Sequence, residues 1–434
     1  MRRVAVTGIG VVSPLGNDAA ALFANASAGR SAVRRMDAPW CRRLTCPLGA
    51  SADFRAGEHF EPAKLRMLDR VSQFALVAAR QAIGDARIGS GDLDPQRTGV
   101  FIGTSMGGSV STDEGYRTLY EEQSDRIKPF TILTGMMHAP AAWISIEYAV
   151  TGPNLTYSTA CSSSTVAIGE AWLRLRSGDL DVAIAGGAEA PLSFGAMKAW
   201  EALHTLASED PADASASCKP FAANRSGMVL GEGAAIVLLE DWERARARGA
   251  TIYGELTGYG VSADIGHITR PSVDGQAAAM RAALHSAGCA PEAIGAINAH
   301  GTGTPINDAV ETAAIKRVFG ARAHRIPISA TKAIHGHLLG ASGALELVLC
   351  LLSMRHGVLL PTMHLQQPAA DCDLDYVANR ARHDVFVDSM MSSSFAFGGT
   401  HAVLVARAAP TAPAAAFAAA PGALPPPIEE QQFE

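Results

Sequence analysis

The chain has 434 residues, of which 48% are hydrophobic and 18% are charged, and its formal net charge at pH 7 is -6. These values describe a folded protein with an ample core rather than a disordered chain. The acidic balance and the absence of a basic tract give no reason to expect a nucleic-acid partner. No stretch approaches the ~20 consecutive apolar residues of a membrane span.

The cysteines and the N-terminus indicate a reducing compartment. There are seven cysteines, an odd number, and none form a CxxC pair, so neither a disulfide framework nor a structural zinc site is predicted. The apolar run after Arg3 is interrupted by glycines and stops at Pro14, which favours a strand entering a turn over a signal peptide. We therefore predict a cytoplasmic protein.

The hydrophobic pattern predicts strands that alternate with helices along the whole chain. In the first half we expect strands at 4–12, 98–103, 155–159, 179–187 and 234–240, and helices at 18–28, 66–88, 131–150, 166–176 and 193–207. In the second half we expect strands at 252–260, 295–299 and 327–330, and helices at 275–287, 308–319 and 343–354. Pro140 predicts a helix break.

This alternation favours a layered α/β protein with mixed sheets. The polar segment 243–249 divides the chain into an N-terminal half at 1–249 and a C-terminal half at 250–407. No convincing residue-level repeat relates the two halves. The Ala/Pro-rich segment at 408–434 is typical of a disordered tail.

Cys161 lies where a short strand gives way to a helix. Three serines follow it and can cap the helix, which ends at Gly178. A thiol at a helix N-terminus faces unpaired N–H groups and the positive end of the dipole, so we expect its pKa to fall. This predicts a nucleophile, and the alternative is a small buried hydrophobic residue.

Two histidines follow apolar strands in the second half. His300 precedes a Gly/Thr turn and His337 lies in a glycine-bounded loop before a helix, positions at which α/β sheets usually present chemistry. His335 and His337 also form an HxH pair that could bind a metal with His300 and Glu311. No other metal-type cluster supports that interpretation, and His335 is more simply a packing residue.

Several separated motifs closely resemble those of the β-ketoacyl-acyl-carrier-protein synthases, most of all the elongating, type II-like branch. They are VTGIG at 6–10, SPLG at 13–16, TACSS at 159–163, PF…R…G…GEG at 220–233, HGTGTP at 300–305, K…GHLLGA at 332–341 and SFAFGGT at 394–400. These motifs stand in the family's order over residues 6–400, so the match is highly specific.

The resemblance implies a thiolase-like fold, in which two pseudo-repeated halves with mixed sheets and helices stack in five layers (αβαβα). It implies an acyltransferase without metal or cofactor, whose substrates are carried on the 4'-phosphopantetheine of acyl carrier protein. An acyl group would load onto Cys161, and malonyl-carrier protein would lose carbon dioxide and extend the chain by two carbons. The family usually forms dimers.

The resemblance also implies roles for individual residues. Cys161 would be the nucleophile, and His300 and His337 would stabilise the malonyl enolate as neutral imidazoles in a dry pocket. The other implied positions are the backbone N–H groups of Cys161 and Phe397 as an oxyanion hole, Lys332 and Glu346 setting the charge around the histidines, Thr302 and Thr304 on the pantetheine arm, and Met106 and Phe397 as the acyl gate.

Departures from the family pattern concern the substrate rather than the reaction. Ala222 stands where the family commonly has Asp, and Ser393 and His401 stand where it commonly has Asn. The 304–308 and 394–397 segments look more like synthases of polyene or aryl-polyene pathways. Plausible contacts for an acidic carrier protein are Lys64, Arg66, Arg70 and Arg270.

Three alternatives stay open at this point. The chain could be the catalytic half of a ketosynthase/chain-length-factor heterodimer in polyene biosynthesis. It could be a thiolase, although that mechanism needs a second cysteine near the C-terminal loop and 392–400 has none. It could be a metal-dependent hydrolase built on His300, His335 and His337.

Overall fold

A computed structural model of the chain describes residues 1–410. The predicted tail therefore lies outside the described residues from position 411 onward, while its first residue, Ala408, ends the last strand. Within the described residues, no helix is both long and apolar enough to cross a membrane.

The strands of the described residues fall largely where the pattern predicts them. They are β1 Val4–Val12, β2 Arg34–Arg35, β3 Leu48–Gly49, β4 Thr98–Gly103, β5 Asn154–Tyr157, β6 Val182–Glu189, β7 Gly233–Asp241, β8 Gly254–Ala263, β9 Ala296–Asn298, β10 Ile328–Ser329, β11 Ser389–Phe395 and β12 Thr400–Ala408. The strands β2, β3, β11 and β12 were not predicted as elements, although the SFAFGGT motif lies at the junction of β11 and β12.

The predicted helices are all present, with differences at some ends, and four further helices of the described residues, at 62–65, 109–120, 242–247 and 332–335, were not predicted. They are α1 Ala19–Ser27, α2 Pro62–Leu65, α3 Arg70–Asp85, α4 Ser109–Tyr120, α5 Thr131–Gly135, α6 Ala139–Tyr148, α7 Ser163–Ser177, α8 Phe194–Ala202, α9 Trp242–Ala247, α10 Val273–Ala287, α11 Pro305–Phe319, α12 Lys332–His335 and α13 Ser342–His356. The helix expected at 66–88 begins later because Asp69 caps it through the Val71 N–H. Pro140 opens the second of two helices in 131–150, which confirms the predicted break.

The two halves repeat one sheet topology. The main sheet has the order β10-β9-β11-β12-β8-β1-β7-β6-β4-β5. In each half the first strand pairs antiparallel with the last, the last pairs antiparallel with the fourth, and the second pairs parallel with both the fourth and the third. The halves join where β1 meets β8 over three residue pairs, Val4–Leu256, Ala5–Glu255 and Val6–Gly254.

Alternating strand residues divide the core into layers. In β4, Phe101 faces the middle of the molecule, while Val100 and Ile102 face α3. Helices α7 and α13 contact strands of both halves, whereas α3 and α6 cover the N-terminal half of the main sheet and α10 and α11 cover its C-terminal half. The result is the five-layered α/β arrangement that the resemblance implies.

Candidate active site

Helices α7 and α13 and strand β9 bring together three side chains that are far apart in sequence. Cys161 precedes α7, His337 precedes α13, and His300 follows β9. The Cys161 sulfur and one nitrogen of each histidine all lie within 4.8 Å of one another. All three residues are at most 3% exposed. The structure therefore assembles the predicted triad at the junction of the halves.

The Cys161 turn is held rigidly before α7. Ala160 takes a left-handed φ of 51°, and the Ser163 Oγ atom accepts the Thr159 N–H at 2.9 Å. A Cβ atom on Gly103 would lie 2.2 Å from the Ser164 nitrogen, so β4 packs directly against the start of α7 at this glycine. The sulfur is thereby fixed at a helix start.

The pKa of the Cys161 thiol does not fall as predicted. Burial raises it to about 12, although Lys332 and the backbone N–H groups of Phe397 and Cys161 act in the opposite direction. The prediction was wrong because the cost of a charge in this dry pocket exceeds the stabilisation that the helix start provides. The resting residue is a thiol.

His337 presents a hydrogen to the sulfur. Its Nδ1 atom accepts the Leu339 N–H at 3.2 Å, so the hydrogen of the neutral ring lies on Nε2. This Nε2 atom is 3.1 Å from the Cys161 sulfur. Burial, with a smaller effect of Lys332, lowers the pKa of His337 well below its ordinary value. The ring is therefore a neutral donor.

His300 has the same tautomer for a different reason. The Lys332 ammonium lies 3.3 Å from His300 Nδ1 and donates to the His300 carbonyl at 2.7 Å. An ammonium only donates, so Nδ1 carries the lone pair and Nε2 the hydrogen. Burial, followed by Lys332, lowers the pKa of His300 well below its ordinary value. The rings of His300 and His337 meet edge to face at 5.3 Å.

Lys332 and Glu346 form a fully buried ion pair with Nζ and Oε1 2.5 Å apart. Burial raises the pKa of Glu346 to about 7, and Lys332 opposes that rise. Removing either partner would leave a buried charge without compensation. The pair thus holds a positive charge against His300, in the place implied by the resemblance.

A cavity of about 330 Å³ reaches the triad. Its wall includes Thr302 and Thr304, whose Oγ1 atoms lie 2.8 Å apart. Of the described residues that line it, none is Asp or Glu, and Arg270 is the one Lys or Arg. Exposure rises from Thr302, at 5%, to Ile306, at 54%, so the cavity leads from the buried sulfur to the surface.

The two predicted gate residues lie on the same apolar cluster as Cys161. Met106 and Phe397 are partly buried and pack against this cluster, and the Phe397 ring stacks on Trp200 at 6.1 Å. Phe397 also lines the cavity, whereas Met106 does not. Phe397 therefore contacts both the cavity and this apolar cluster.

The alternative metal set is not brought together. His335 is buried, with Nδ1 2.7 Å from the Gly336 carbonyl and Nε2 2.9 Å from Thr331 Oγ1. Glu311 accepts the backbone N–H groups of His300 and Gly301 at 2.7 and 2.8 Å. Within residues 1–410, the one group of at least three potential ligands is the triad itself.

Of the four candidate carrier-protein contacts, two form ion pairs within the chain and two are exposed. Lys64 pairs with Glu147 at 2.9 Å, and Arg70 pairs with Glu232 at 2.7 Å, so both are engaged in intramolecular ion pairs. Arg66 and Arg270 are exposed, and Arg270 stands at the cavity wall.

Two buried carboxylates escaped the sequence reasoning. Glu189 ends β6 and accepts hydrogen bonds from the segments that carry Met106 and Gly340. Glu311 holds the His300 turn, a role for which we did not consider it. A Glu at a strand end or inside a helix is usually exposed to solvent. The sequence therefore gave no indication that Glu189 is buried, apart from its apolar neighbours.

The fold and this site define a thiolase-like condensing enzyme, with a buried thiol and two neutral imidazoles at the junction of two repeats. Comparison with known families agrees. The family model "Beta-ketoacyl synthase, N-terminal domain" matches residues 1–245, and "Beta-ketoacyl synthase, C-terminal domain" matches residues 253–366. The chain belongs to the beta-ketoacyl synthase family and is a condensing acyltransferase.

Individual relatives cover nearly the whole chain. Nodulation protein E of Rhizobium meliloti is 40% identical over 403 residues, which are 93% of this chain and 98% of that protein. The 3-oxoacyl-[acyl-carrier-protein] synthase 2 of Staphylococcus aureus is 38% identical over 410 residues, again 93% and 98%. These matches favour a synthase over the thiolase alternative.

Solved structures show the same fold. A beta-ketoacyl synthase from Burkholderia phymatum has a TM-score of 0.87 at 36% identity and covers 94% of this chain and 100% of that one. The ishigamide ketosynthase/chain length factor has a TM-score of 0.88 at 32% identity, with the same coverage.

Proposed function

We propose that the chain catalyses the decarboxylative Claisen condensation of an acyl-Cys161 thioester with malonyl-acyl-carrier protein. The product is a 3-oxoacyl chain longer by two carbons. The observation that carries the proposal is the meeting of the Cys161 sulfur with the two imidazoles within 4.8 Å, at the inner end of the cavity.

In the first half-reaction the Cys161 sulfur attacks the thioester carbonyl of an acyl-carrier protein. The thiol proton passes to the departing carrier thiol, and the acyl group remains on Cys161. The oxyanion of the tetrahedral intermediate is stabilised by the backbone N–H groups of Cys161 and Phe397. Both groups lie close enough to the sulfur to lower the pKa of the Cys161 thiol. Resting Cys161 is protonated, so loss of its proton accompanies the attack.

In the second half-reaction malonyl-carrier protein enters the emptied cavity. Cleavage of the bond to the carboxylate releases carbon dioxide and leaves its electron pair as a thioester enolate. The Nε2–H groups of His300 and His337 donate to the enolate oxygen, since both rings are neutral and carry their hydrogen on Nε2. The enolate carbon then attacks the acyl carbonyl, and the Cys161 sulfur leaves as a thiolate, which takes up a proton from solvent to restore the resting thiol.

The proposed substrates are carried on phosphopantetheine. The cavity suits such an arm because Thr302 and Thr304 offer hydroxyl groups along it and no carboxylate of the described lining repels the phosphate. The named relatives include an acyl-carrier-protein synthase, which supports acyl carrier protein as the partner here.

A second subunit is a further proposed partner. Strand β5 is an edge of the sheet, and large apolar side chains stay exposed on and near it, among them Leu155, Ile132, Leu133 and Ile146. We infer that this face forms a dimer. The partner is a second copy, or a chain length factor as in the structure named for ishigamide, and sedimentation of the pure chain distinguishes these.

The function is tested by intact-mass analysis after incubation with a panel of acyl-carrier-protein thioesters. We expect a mass increase equal to the acyl group on the wild type, and release of a two-carbon-longer product when malonyl-carrier protein is added. Absence of any adduct across the panel, from a chain that is folded and paired with its partner, would overturn the proposal.

A further inference from the structure

The buried carboxylate of Glu189, at the end of β6, joins two loops near the nucleophile. Its Oε1 atom accepts from Thr104 Oγ1 at 3.1 Å and from the Met106 N–H at 3.0 Å. Its Oε2 atom accepts from the N–H groups of Ser105, at 2.6 Å, and Gly340, at 2.9 Å. Each oxygen therefore accepts twice, and the residue is fully buried.

This hydrogen-bond pattern favours the ionised form. Three of the four donors are backbone N–H groups, which cannot reverse their role, and together the four leave little room for a carboxyl hydrogen. Such charge-assisted bonds are stronger than bonds between neutral groups. Burial raises the pKa of Glu189, and the N–H groups of Ser105, Met106 and Gly340 act against that rise.

The two loops that Glu189 joins have different tasks in the proposed reaction. The turn after β4 carries Met106, the proposed gate of the acyl region. Gly340 lies three residues after His337, in the loop that orients the imidazole. The loops touch so closely that a Cβ atom on Gly340 would lie 2.6 Å from the Ser105 nitrogen and 2.7 Å from Glu189 Oε2.

We propose that Glu189 is a positioning residue that fixes the Met106 turn against the His337 loop and thereby sets which acyl chains Cys161 accepts. The proposal rests on the proposed function, because it takes Met106 as the gate. A displaced turn would change the space offered to long and short acyl groups unequally, whereas general loosening would slow both alike.

Two substitutions test this role. Glu189→Gln keeps the shape but turns an amide NH2 toward N–H donors, which displaces the turn. Thr104→Val is milder, since it removes one donor to the carboxylate, together with the acceptor of the Gly107 N–H in the same turn, and leaves the three N–H bonds to Glu189. The matched control is Thr7→Val. Thr7 in β1 also donates to a buried carboxylate, that of Glu240 in β7, and neither residue lines the cavity.

The readout is the ratio of kcat/KM for acylation by a long and a short acyl-carrier protein. We expect this ratio to change at least tenfold in Glu189→Gln and at least threefold in Thr104→Val, and to stay within twofold of wild type in Thr7→Val. Should Glu189→Gln not fold, Thr104→Val decides. A wild-type ratio in Thr104→Val, or in folded Glu189→Gln, overturns the positioning role. Failure of the wild type to acylate overturns the proposed function instead.

Discussion

His337 Nε2 lies 3.1 Å from the Cys161 sulfur and turns a hydrogen toward it. An imidazole with its lone pair on Nδ1, where the Leu339 N–H binds, cannot act as the base that removes the thiol proton. The geometry thus gives the cysteine and the histidines different tasks: the sulfur binds the acyl group, and the imidazoles donate hydrogen bonds.

Replacement of the nucleophile should abolish the covalent intermediate. We expect Cys161→Ala to show no acyl adduct by intact mass, whereas Cys218→Ala should acylate like wild type. Cys218 is a matched control because burial raises its pKa to about 12 too, yet it lies outside the cavity lining. An adduct on Cys161→Ala would remove the assignment.

The histidine variants should separate the two half-reactions. We expect His300→Ala and His337→Ala to acylate within a few-fold of wild type but to condense ~10²–10³-fold more slowly, because each loses a donor to the enolate. Single-turnover assays of each step measure this. The control is His335→Gln, whose ring binds Thr331 and the Gly336 carbonyl instead. Full condensation by either alanine variant would contradict the donor role.

The raised pKa of Cys161 should be visible in its reaction with iodoacetamide. Only the thiolate reacts, and below a pKa of about 12 the thiolate fraction rises with pH by about tenfold per unit. The logarithm of the alkylation rate should therefore climb with a slope near one from pH 7 to 10, after subtraction of the Cys161→Ala rate. A plateau in this range would mean that the helix start dominates after all.

The gate assignment predicts a change of substrate length. Met106→Ala should enlarge the apolar region that adjoins Cys161 and shift the preferred acyl group toward longer chains. Competition between acyl-carrier proteins of different length measures this. As a control, Met363→Ala removes a methionine from a different cluster. An unchanged length profile would show that Met106 is not the gate.

Arg270 should bind the phosphate of the carrier arm, because it is the one cationic Lys or Arg side chain on the described cavity wall. We expect Arg270→Ala to raise KM for acyl-phosphopantetheine ~10-fold or more while leaving KM for acyl-pantetheine, which lacks the phosphate, unchanged. Arg66→Ala, exposed but away from the cavity, is the control. An equal effect on both thioesters would contradict phosphate recognition.

Sequence reasoning reached the triad because Cys161, His300 and His337 each stand in a short motif with a known neighbour pattern. It failed for the thiol pKa, since the burial that raises this pKa comes from residues distant in sequence, such as Leu339 and Ala396 in the same apolar cluster. The same limit hid Glu189, whose four donors come from two separate loops.

The repeat was invisible for another physical reason. Strand order and direction depend on hydrogen bonds between backbones, which many sequences can satisfy, so the two halves keep one topology without recognisable residue identity. The helix boundaries at the capping residues Asp18 and Gly178 were predicted, whereas the start that Asp69 caps was placed too early.

The repeat extends to the turns that start the two central helices. Ala160 before Cys161 and Leu339 before Gly340 both adopt a left-handed φ, of 51° and 43°, and each turn leads into a helix of 15 residues. In the proposed reaction the Cys161 N–H group donates to the substrate oxyanion, whereas the Gly340 N–H group of the second turn donates to the Glu189 carboxylate. The proposed function thus leaves one of these turns to bind substrate, whereas the other holds two loops together through Glu189.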